Sequence, residues 1–280
     1  MMLLLVVLPF CKLTKTELFN KMPSVKLIVE NNLKLPLLAE HGLAMLLEYG
    51  GKKFLFDTGA TSLILKNAEQ LRINFSDISA VILSHGHNDH SGGLAHIPTD
   101  CKVYASPDIY KTRFSIHKDV PIRNISMPTN SVEKLMSSNW QKIDSFSEIY
   151  DGIFLTGPIP RLSDEDTGGP FFLDSSGNDV DTISDEQALL FASGVLVQGC
   201  CHSGIINTLE YCKKCRPNVA IHTIIGGLHL VNATHERLSQ TAEYLNNCGV
   251  KKLYALHCTG QNAIEFLSEK CPNVEIFDTV

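Results

Sequence analysis

Short apolar runs of strand length recur along the chain and alternate with segments of helical periodicity. The runs 43–49 and 53–56 are separated by a Gly-Gly pair, which is typical of a β-hairpin turn. The run 78–83 has the length of a buried strand. Helical patterns cover 62–71, 204–215, 234–248 and 262–270. This succession predicts a layered α/β architecture with active groups at the carboxyl ends of strands.

Histidines follow the ends of several apolar runs. The run 78–83 leads into a loop in which six positions hold three histidines and one carboxylate, namely His85, His87, Asp89 and His90. Later runs end at His202, His229 and His257. Imidazole nitrogens and carboxylate oxygens are the usual ligands of zinc-like ions. Because three of only 11 histidines fall in one loop, a metal site is favoured over a polar loop that is rich in histidine by chance.

The pattern also suggests how the chain is divided. Residues 1–22 include an apolar stretch that lacks the basic residues and the cleavage site of a signal peptide and is too short to span a bilayer. We therefore expect an N-terminal extension that is either not native or disordered, followed by a single domain over 23–280. Between about 102 and 185, proline breaks and polar loops predict an insertion or lid beside the site.

Composition narrows the function classes. An apolar content of 44% in 280 residues supports a globular core, and the net charge of −6 offers no broad attraction for nucleic acid or a membrane surface. Nine cysteines, an odd and scattered set, indicate reduced thiols in a cytoplasmic protein. The pair Cys212 and Cys215 lies on a predicted helix without a second pair, so a structural role is favoured over redox or metal binding.

The histidine loop, with Asp57 in an upstream Asp-Thr-Gly and with His202 and His257 downstream, resembles the metallo-β-lactamase-fold hydrolases. The resemblance runs from Val25 to the end of the chain. The segments 39–42, 185–189, 199–207, 226–230 and 256–260 are similar to a subgroup named after a methanopterin-biosynthesis enzyme, 7,8-dihydropterin-6-methyl-4-(β-D-ribofuranosyl)aminobenzene-5′-phosphate synthase.

The resemblance implies an αββα sandwich, in which two mixed β-sheets are flanked by helices, with two metal positions at one edge. It implies that His85, His87 and His202 hold the first metal. The second would be held by Asp89, His90 and His257. The wider family has a carboxylate that bridges the metals, whereas here the matching strand ends in 226–229 without one. Either His229 serves near the second metal or a substrate anion, or that metal is loosely held.

Further roles follow from residue chemistry. A metal lowers the pKa of bound water toward about 7, and Asp89 can both ligate and orient that nucleophile. Asp57 is expected to fix a ligand imidazole, the alternative being a turn former. His229, as a catalytic or substrate-contacting residue, and His41, as a substrate contact, are weaker candidates.

Arginines and cysteines near the motifs carry further expectations. Arg161 is a candidate phosphate contact, as are Arg123, Lys111 and Arg113, although surface exposure is the alternative for each. Cys201 and Cys258 adjoin ligand histidines, but the alternation of side chains along a strand predicts that both thiols point away from the site.

Three functions remain open. The first is a hydrolase that uses one or two zinc ions, or iron or manganese, on a small phosphorylated or ester-like metabolite. The second is a transferase like the methanopterin-pathway synthase, in which the metals would bind an activated pterin pyrophosphate. The third is a non-catalytic metal-binding protein. The oligomeric state stays open.

Overall fold

Two mixed β-sheets organise the chain in the computed structural model, which describes residues 21–98, 100–165, 167 and 169–278. The strands are β1 Ser24–Val29, β2 Ala44–Tyr49, β3 Lys52–Phe56, β4 Ile78–Ile82, β5 Lys102–Ala105, β6 Phe114–Ser115, β7 Arg123–Asn124, β8 Asn139–Lys142, β9 Ser147–Tyr150, β10 Ile153–Leu155, β11 Phe171–Phe172, β12 Leu189–Phe191, β13 Val195–Val197, β14 Thr223–Gly226, β15 Lys252–Ala255 and β16 Glu275–Asp278. The α-helices are α1 Leu63–Gln70, α2 Asn88–Ser91, α3 Thr129–Ser137, α4 Ile205–Cys215, α5 His235–Asn247 and α6 Gln261–Lys270. Short 3₁₀ turns cover Phe75–Asp77 and Gly92–His96.

Each main sheet has an antiparallel part and a parallel part. The first runs in the order β1-β2-β3-β4-β5-β8, and it is antiparallel up to β3 and parallel from β3 to β8. The second runs in the order β16-β15-β14-β13-β12-β10-β9 and is parallel from β13 to β16. The hairpin β2–β3 turns at Gly50 and Gly51, as the pattern predicted. The parallel strands of both sheets are the ones that carry the histidine motifs.

Side-chain alternation divides the apolar residues among three cores. In β3, Phe54 and Phe56 face the core between the sheets, and Leu55 packs under α1. In β12, Leu189 and Phe191 face that same central core, whereas Leu190 packs toward the helices α4 to α6. Helix, sheet, sheet and helix are therefore stacked as four layers, and the predicted αββα sandwich is confirmed.

Only part of the stretch 102–185 lies outside the two main sheets. Within 102–185, the strands β5, β8, β9 and β10 belong to the two main sheets, because they complete the edges that the central strands leave unpaired. The added part is a small sheet of order β11-β6-β7, built from short segments of the same stretch. The expectation for an extension at 1–22 concerns mainly residues 1–20, which lie outside the described residues.

Helix length bears on the membrane question. Within the part of the chain that the structure describes, no helix is long and apolar enough to cross a membrane.

Candidate metal centre

The site lies where the parallel strands of the two sheets end side by side. Asp57 follows β3, the histidine loop follows β4, and His257 follows β15. At Asp57, His229 and His257 the backbone takes φ values of 55°, 47° and 50°, which side-chain-bearing residues rarely adopt. Such conformations persist where the surrounding fold enforces them, and they turn these side chains sharply out of the strand direction.

One group of three imidazoles converges where β4 of the first sheet and β13 of the second sheet end. His85, His87 and His202 are buried, and the ligand nitrogens of the three rings lie within 4.8 Å of one another. Nε2 of each ring has no hydrogen-bond partner, and for His202 neither nitrogen has one. Burial and the neighbouring rings hold the pKa of His85 and of His202 well below the usual range, and burial lowers the pKa of His87 to about 3. Neutral rings with unused buried lone pairs suit a cation, since unpaired buried polar atoms are otherwise costly.

A second group is centred on Asp89. Its Oδ2 lies 3.1 Å from His41 Nε2 and 3.4 Å from His257 Nε2. The Nε2 atoms of His90 and His257 are 3.2 Å apart, close to the separation of about 3.3 Å expected for two nitrogens that bind one tetrahedral zinc ion at about 2.0 Å. The donor set and its spacing therefore fit a second ion.

The charges of the second group are tightly balanced. Burial lowers the pKa of His90, but the Asp89 and Asp57 carboxylates outweigh it and raise that pKa to about 9. Burial raises the pKa of Asp89, but His90 and the hydrogen bonds from His257 and His41 hold it well below the usual range. Asp89 is therefore ionised, as a metal ligand must be, whereas a cation bound at His90 Nε2 would displace the proton that the raised pKa of His90 implies.

Asp57 orients two of the rings. Its Oδ2 accepts hydrogen bonds from His90 Nδ1 and from the Ser84 hydroxyl, both at 2.7 Å. Because the single hydroxyl hydrogen of Ser84 is used there, Ser84 Oγ accepts from Nδ1 of His85 at 2.9 Å. Both rings thereby carry their proton on Nδ1 and present Nε2 to the centre.

Two residues directly after β1 orient His257, which lies near the other end of the sequence. Asn31 Oδ1 lies 2.8 Å from His257 Nδ1, and its amide nitrogen donates to the His257 carbonyl. Glu30 accepts from the His257 backbone N–H at 2.8 Å. The sequence reading missed both residues, and the only available signal was two polar residues directly after the first strand.

Two adjacent carboxylates hold the metal-facing loops. Glu186 accepts from the backbone N–H groups of His202 and Ser203 at 2.5 and 2.6 Å. Asp185 accepts from Gly86 N–H at 2.8 Å and pairs with Arg113 at 2.6 Å. Sequence reading placed 185–189 in a family motif without giving it this role.

Sulfur atoms also lie in the centre, and one expectation is wrong. Cys200 Sγ is 3.0 Å from His90 Nε2, and Cys258 shares a possible ligand group with Cys200 and His257. Strand alternation failed for Cys258 because this residue follows the sharp turn at His257, beyond the end of β15. Cys201 does point away, toward Thr208 in the helical core.

A cleft of about 340 Å³ opens onto both groups. His41, His229 and Arg123 line it, with Phe171 of the small sheet along one wall. His229 Nδ1 has no hydrogen-bond partner, and its ring packs on that of His202 at 4.3 Å between centroids.

Three basic side chains that the sequence suggested as phosphate contacts do not line this cleft. Arg161 lies behind His202, donating to its carbonyl and to that of Thr182. Arg113 is fully buried in ion pairs and is not available to a substrate, which corrects that expectation. Lys111 pairs with Asp108 outside the cleft.

Comparison with known proteins agrees with this architecture. The model of the metallo-beta-lactamase superfamily matches residues 38–169. A Methanocaldococcus jannaschii protein named 7,8-dihydropterin-6-methyl-4-(beta-D-ribofuranosyl)-aminobenzene-5′-phosphate synthase is 31% identical over 254 residues, covering 84% of this chain and 86% of its own. The uncharacterised protein MJ0448 of the same organism is 29% identical over 246 residues, covering 88% and 94%.

A solved structure extends the likeness to three dimensions. The crystal structure of Tm1679, described as a metal-dependent hydrolase of the beta-lactamase superfamily, superposes with a TM-score of 0.78 at 27% identity and covers 92% of this chain and 96% of its own. The sequence and structural matches show that this chain belongs to the metallo-β-lactamase superfamily, in agreement with its four-layer sandwich and its strand-end histidines.

Proposed function

We propose that this protein is a metal-dependent hydrolase, with zinc as its metal, that acts on a small phosphorylated or ester-like metabolite. The observation that carries the proposal is the pair of ligand groups, His85–His87–His202 and Asp89–His90–His257, which face one cleft of about 340 Å³. A cleft of this volume suits a metabolite rather than a polymer. The superfamily membership makes a divalent cation the expected cofactor, and iron or manganese would also accept these ligands.

The bound cation would polarise the oxygen under attack and activate a water molecule. The protein supplies orientation. Asp57 and Asn31 hold the rings of His90 and His257 so that their Nε2 atoms face the centre. Asp89, with 13% of its side chain exposed, is the carboxylate best placed to accept a hydrogen bond from an attacking water.

Substrate binding is assigned to the cleft mouth. Arg123 and His117 line the rim on the small-sheet side, and His41 and His229 line the metal side. Because a guanidinium group matches phosphate oxygens in a forked geometry, Arg123 is the residue we assign to a substrate phosphate. Arg161 is reassigned as a residue that positions His202, since it contacts the backbone of that residue. The scattered cysteines favour a reducing, cytoplasmic location.

The second candidate is a synthase like the M. jannaschii relative, and the 31% identity over most of both chains favours it. In that reaction the aniline nitrogen of a ribofuranosylaminobenzene phosphate would form a bond to the 6-methyl carbon of a dihydropterin. Pyrophosphate would leave from that carbon with the bonding electron pair, and the nitrogen would lose its proton to solvent. The cleft residues would then stabilise the departing anion instead of orienting water.

One pair of assays separates the candidates. The zinc-loaded protein is incubated with a panel of phosphodiesters and lactones, and separately with a dihydropterin pyrophosphate plus the ribofuranosylaminobenzene phosphate. The hydrolase proposal expects turnover in the first assay, and the variant Asp89→Asn should lose it. Turnover only in the second assay would replace the hydrolase with the synthase. Zinc binding without turnover in either assay would favour a non-catalytic metal-binding protein.

A further inference from the structure

Cys200 occupies a central place among the ligand atoms. Its thiol sulfur lies within 4.8 Å of ligand nitrogens of His85 and His202, which belong to the first group. It also lies within 4.8 Å of ligand nitrogens of His90 and His257, which belong to the second. Among the described residues that belong to neither group, Cys200 is the one whose candidate ligand sets include members of both.

The same space holds no carboxylate that could join the two groups. Asp89 is the one carboxylate in these ligand sets among the described residues, and it lies on the outer side with His41 and His257. Position 227, at the end of the adjacent strand, cannot carry a side chain. A Cβ on Gly227 would lie 2.5 Å from Cys258 Sγ and 2.9 Å from the Gly199 carbonyl. Sulfur therefore fills the region between the two imidazole groups.

We propose that the Cys200 thiolate is a metal ligand that bridges the two cation positions, an inference that rests on the metal centre proposed above. On coordination the S–H bond gives its proton to solvent, and the sulfur forms a bond to each ion. His90, at 3.0 Å from the sulfur, shares the second ion with it. Cys258 Sγ donates to the Cys200 carbonyl at 3.5 Å.

A sulfur bridge has a consequence for metal choice. Thiolate is a soft ligand that favours zinc, cobalt or iron over magnesium or manganese. The centre should therefore bind the thiophilic ions as a pair and bind manganese weakly at the second position.

Cobalt loading tests the bridge directly. The full-length protein, reduced and freed of metal, is titrated with Co²⁺ under argon. We expect a sulfur-to-cobalt charge-transfer band in the near ultraviolet and magnetic coupling between the two ions in the electron paramagnetic resonance spectrum. Cys200→Ser should lose both signals and bind the second cobalt at least about 10-fold more weakly. Cys201→Ser, which changes the adjacent buried thiol that points into the core, is the matched control and should keep them.

Two further variants test which cysteine supplies the ligand sulfur. Cys200→Asp should still bind two ions but without the charge-transfer band, because a carboxylate can bridge without sulfur. Circular dichroism checks that each variant is folded. A band that survives Cys200→Ser and disappears in Cys258→Ser, or two uncoupled cobalt ions in the unmodified protein, would overturn the bridge while leaving the hydrolase proposal intact. Failure of the unmodified protein to bind cobalt or zinc at all would overturn both.

Discussion

Asp57 is the residue on which the orientation of two metal-facing imidazoles depends. It accepts a hydrogen bond from His90 Nδ1–H directly and reaches His85 through Ser84. Asp57 accepts hydrogen bonds at both oxygens, from Ser84 N–H at Oδ1 and from His90 and the Ser84 hydroxyl at Oδ2. We expect Asp57→Asn to lower zinc affinity by about 10- to 100-fold, because an amide NH₂ in place of either oxygen would face a donor. Competition with a chromophoric chelator measures the affinity. Asp77→Asn, at an exposed surface pair, is the control, and equal affinities in the two variants would contradict this role for Asp57.

Substitutions of two arginines near the cleft should have different effects, one on substrate binding and the other on metal content. Arg123 lines the mouth, whereas Arg161 contacts the His202 backbone. Once a phosphorylated substrate is identified, Arg123→Ala should raise KM by roughly 10-fold, equivalent to about 1.4 kcal/mol, with metal content unchanged. Arg161→Ala should instead lower metal content. Steady-state kinetics with elemental analysis of each variant would detect the opposite pattern, which would restore Arg161 as the substrate contact.

Residue-scale features differ in how far sequence could predict them. The strand-end histidines and Asp57 could be singled out because ligand chemistry and local spacing coincide within a few positions. Asn31 could not, because its partner His257 lies 226 residues away in sequence. Cys200 and Cys258 were missed because their direction depends on the turns beyond the strand ends, with φ of 62° at Cys201 and 50° at His257. Alternation along a strand says nothing about such turns.

At the scale of elements, a buried ion-pair cluster fastens the small sheet to the histidine loop. Arg113, directly before β6, pairs with Asp181 and Asp185, and Asp185 in turn accepts from Gly86 N–H. We expect Arg113→Met to cost about 3–5 kcal/mol in the free energy of unfolding, because it leaves buried carboxylates without a partner. Urea unfolding measures this cost. Lys53→Met breaks the exposed pair with Asp77 and should cost at most about 1 kcal/mol; equal costs would contradict the anchoring role.

Gly86 is where the histidine loop passes closest to its neighbours. A Cβ at this position would lie 1.8 Å from the Ile109 carbonyl and 2.4 Å from Arg113. We expect Gly86→Ala to displace His85 and His87 and to lower zinc affinity by at least about 10-fold. Gly51→Ala, with open space around its Cβ but φ of 77°, should cost only about 1 kcal/mol of stability and leave zinc binding unchanged. A Gly86→Ala variant with normal zinc binding would show that the loop tolerates the shift.

The types of the main helices and strands could largely be predicted from the sequence, whereas the limits of the small sheet within 102–185 could not. Helices α4, α5 and α6 fall where periodicity placed them, because each buries one regular apolar face, and strands β13 to β15 are short apolar runs that pack between two cores. The sequence pattern suggested an insertion or lid over about 102–185, and within that stretch β8, β9 and β10 are short strands at the edges of the main sheets. Their pairing partners are distant in sequence, so local pattern does not reveal that they complete the main sheets.

At the scale of the whole molecule, the candidate centre joins the two sheets. His85 and His90 follow the first sheet, and His202 and His257 follow the second. A cation in either group would therefore bind at least one ligand from each sheet and resist their separation. Zinc at 100 times its dissociation constant should stabilise the fold by about 2.7 kcal/mol, or roughly 5–10 °C in Tm, and excess EDTA should remove this gain. Differential scanning calorimetry measures the shift. His202→Ala should reduce the zinc shift strongly, whereas His96→Ala, at an exposed residue outside the site, should keep it. An undiminished shift in His202→Ala would mean that zinc stabilises the protein from some other place and that the centre does not join the sheets.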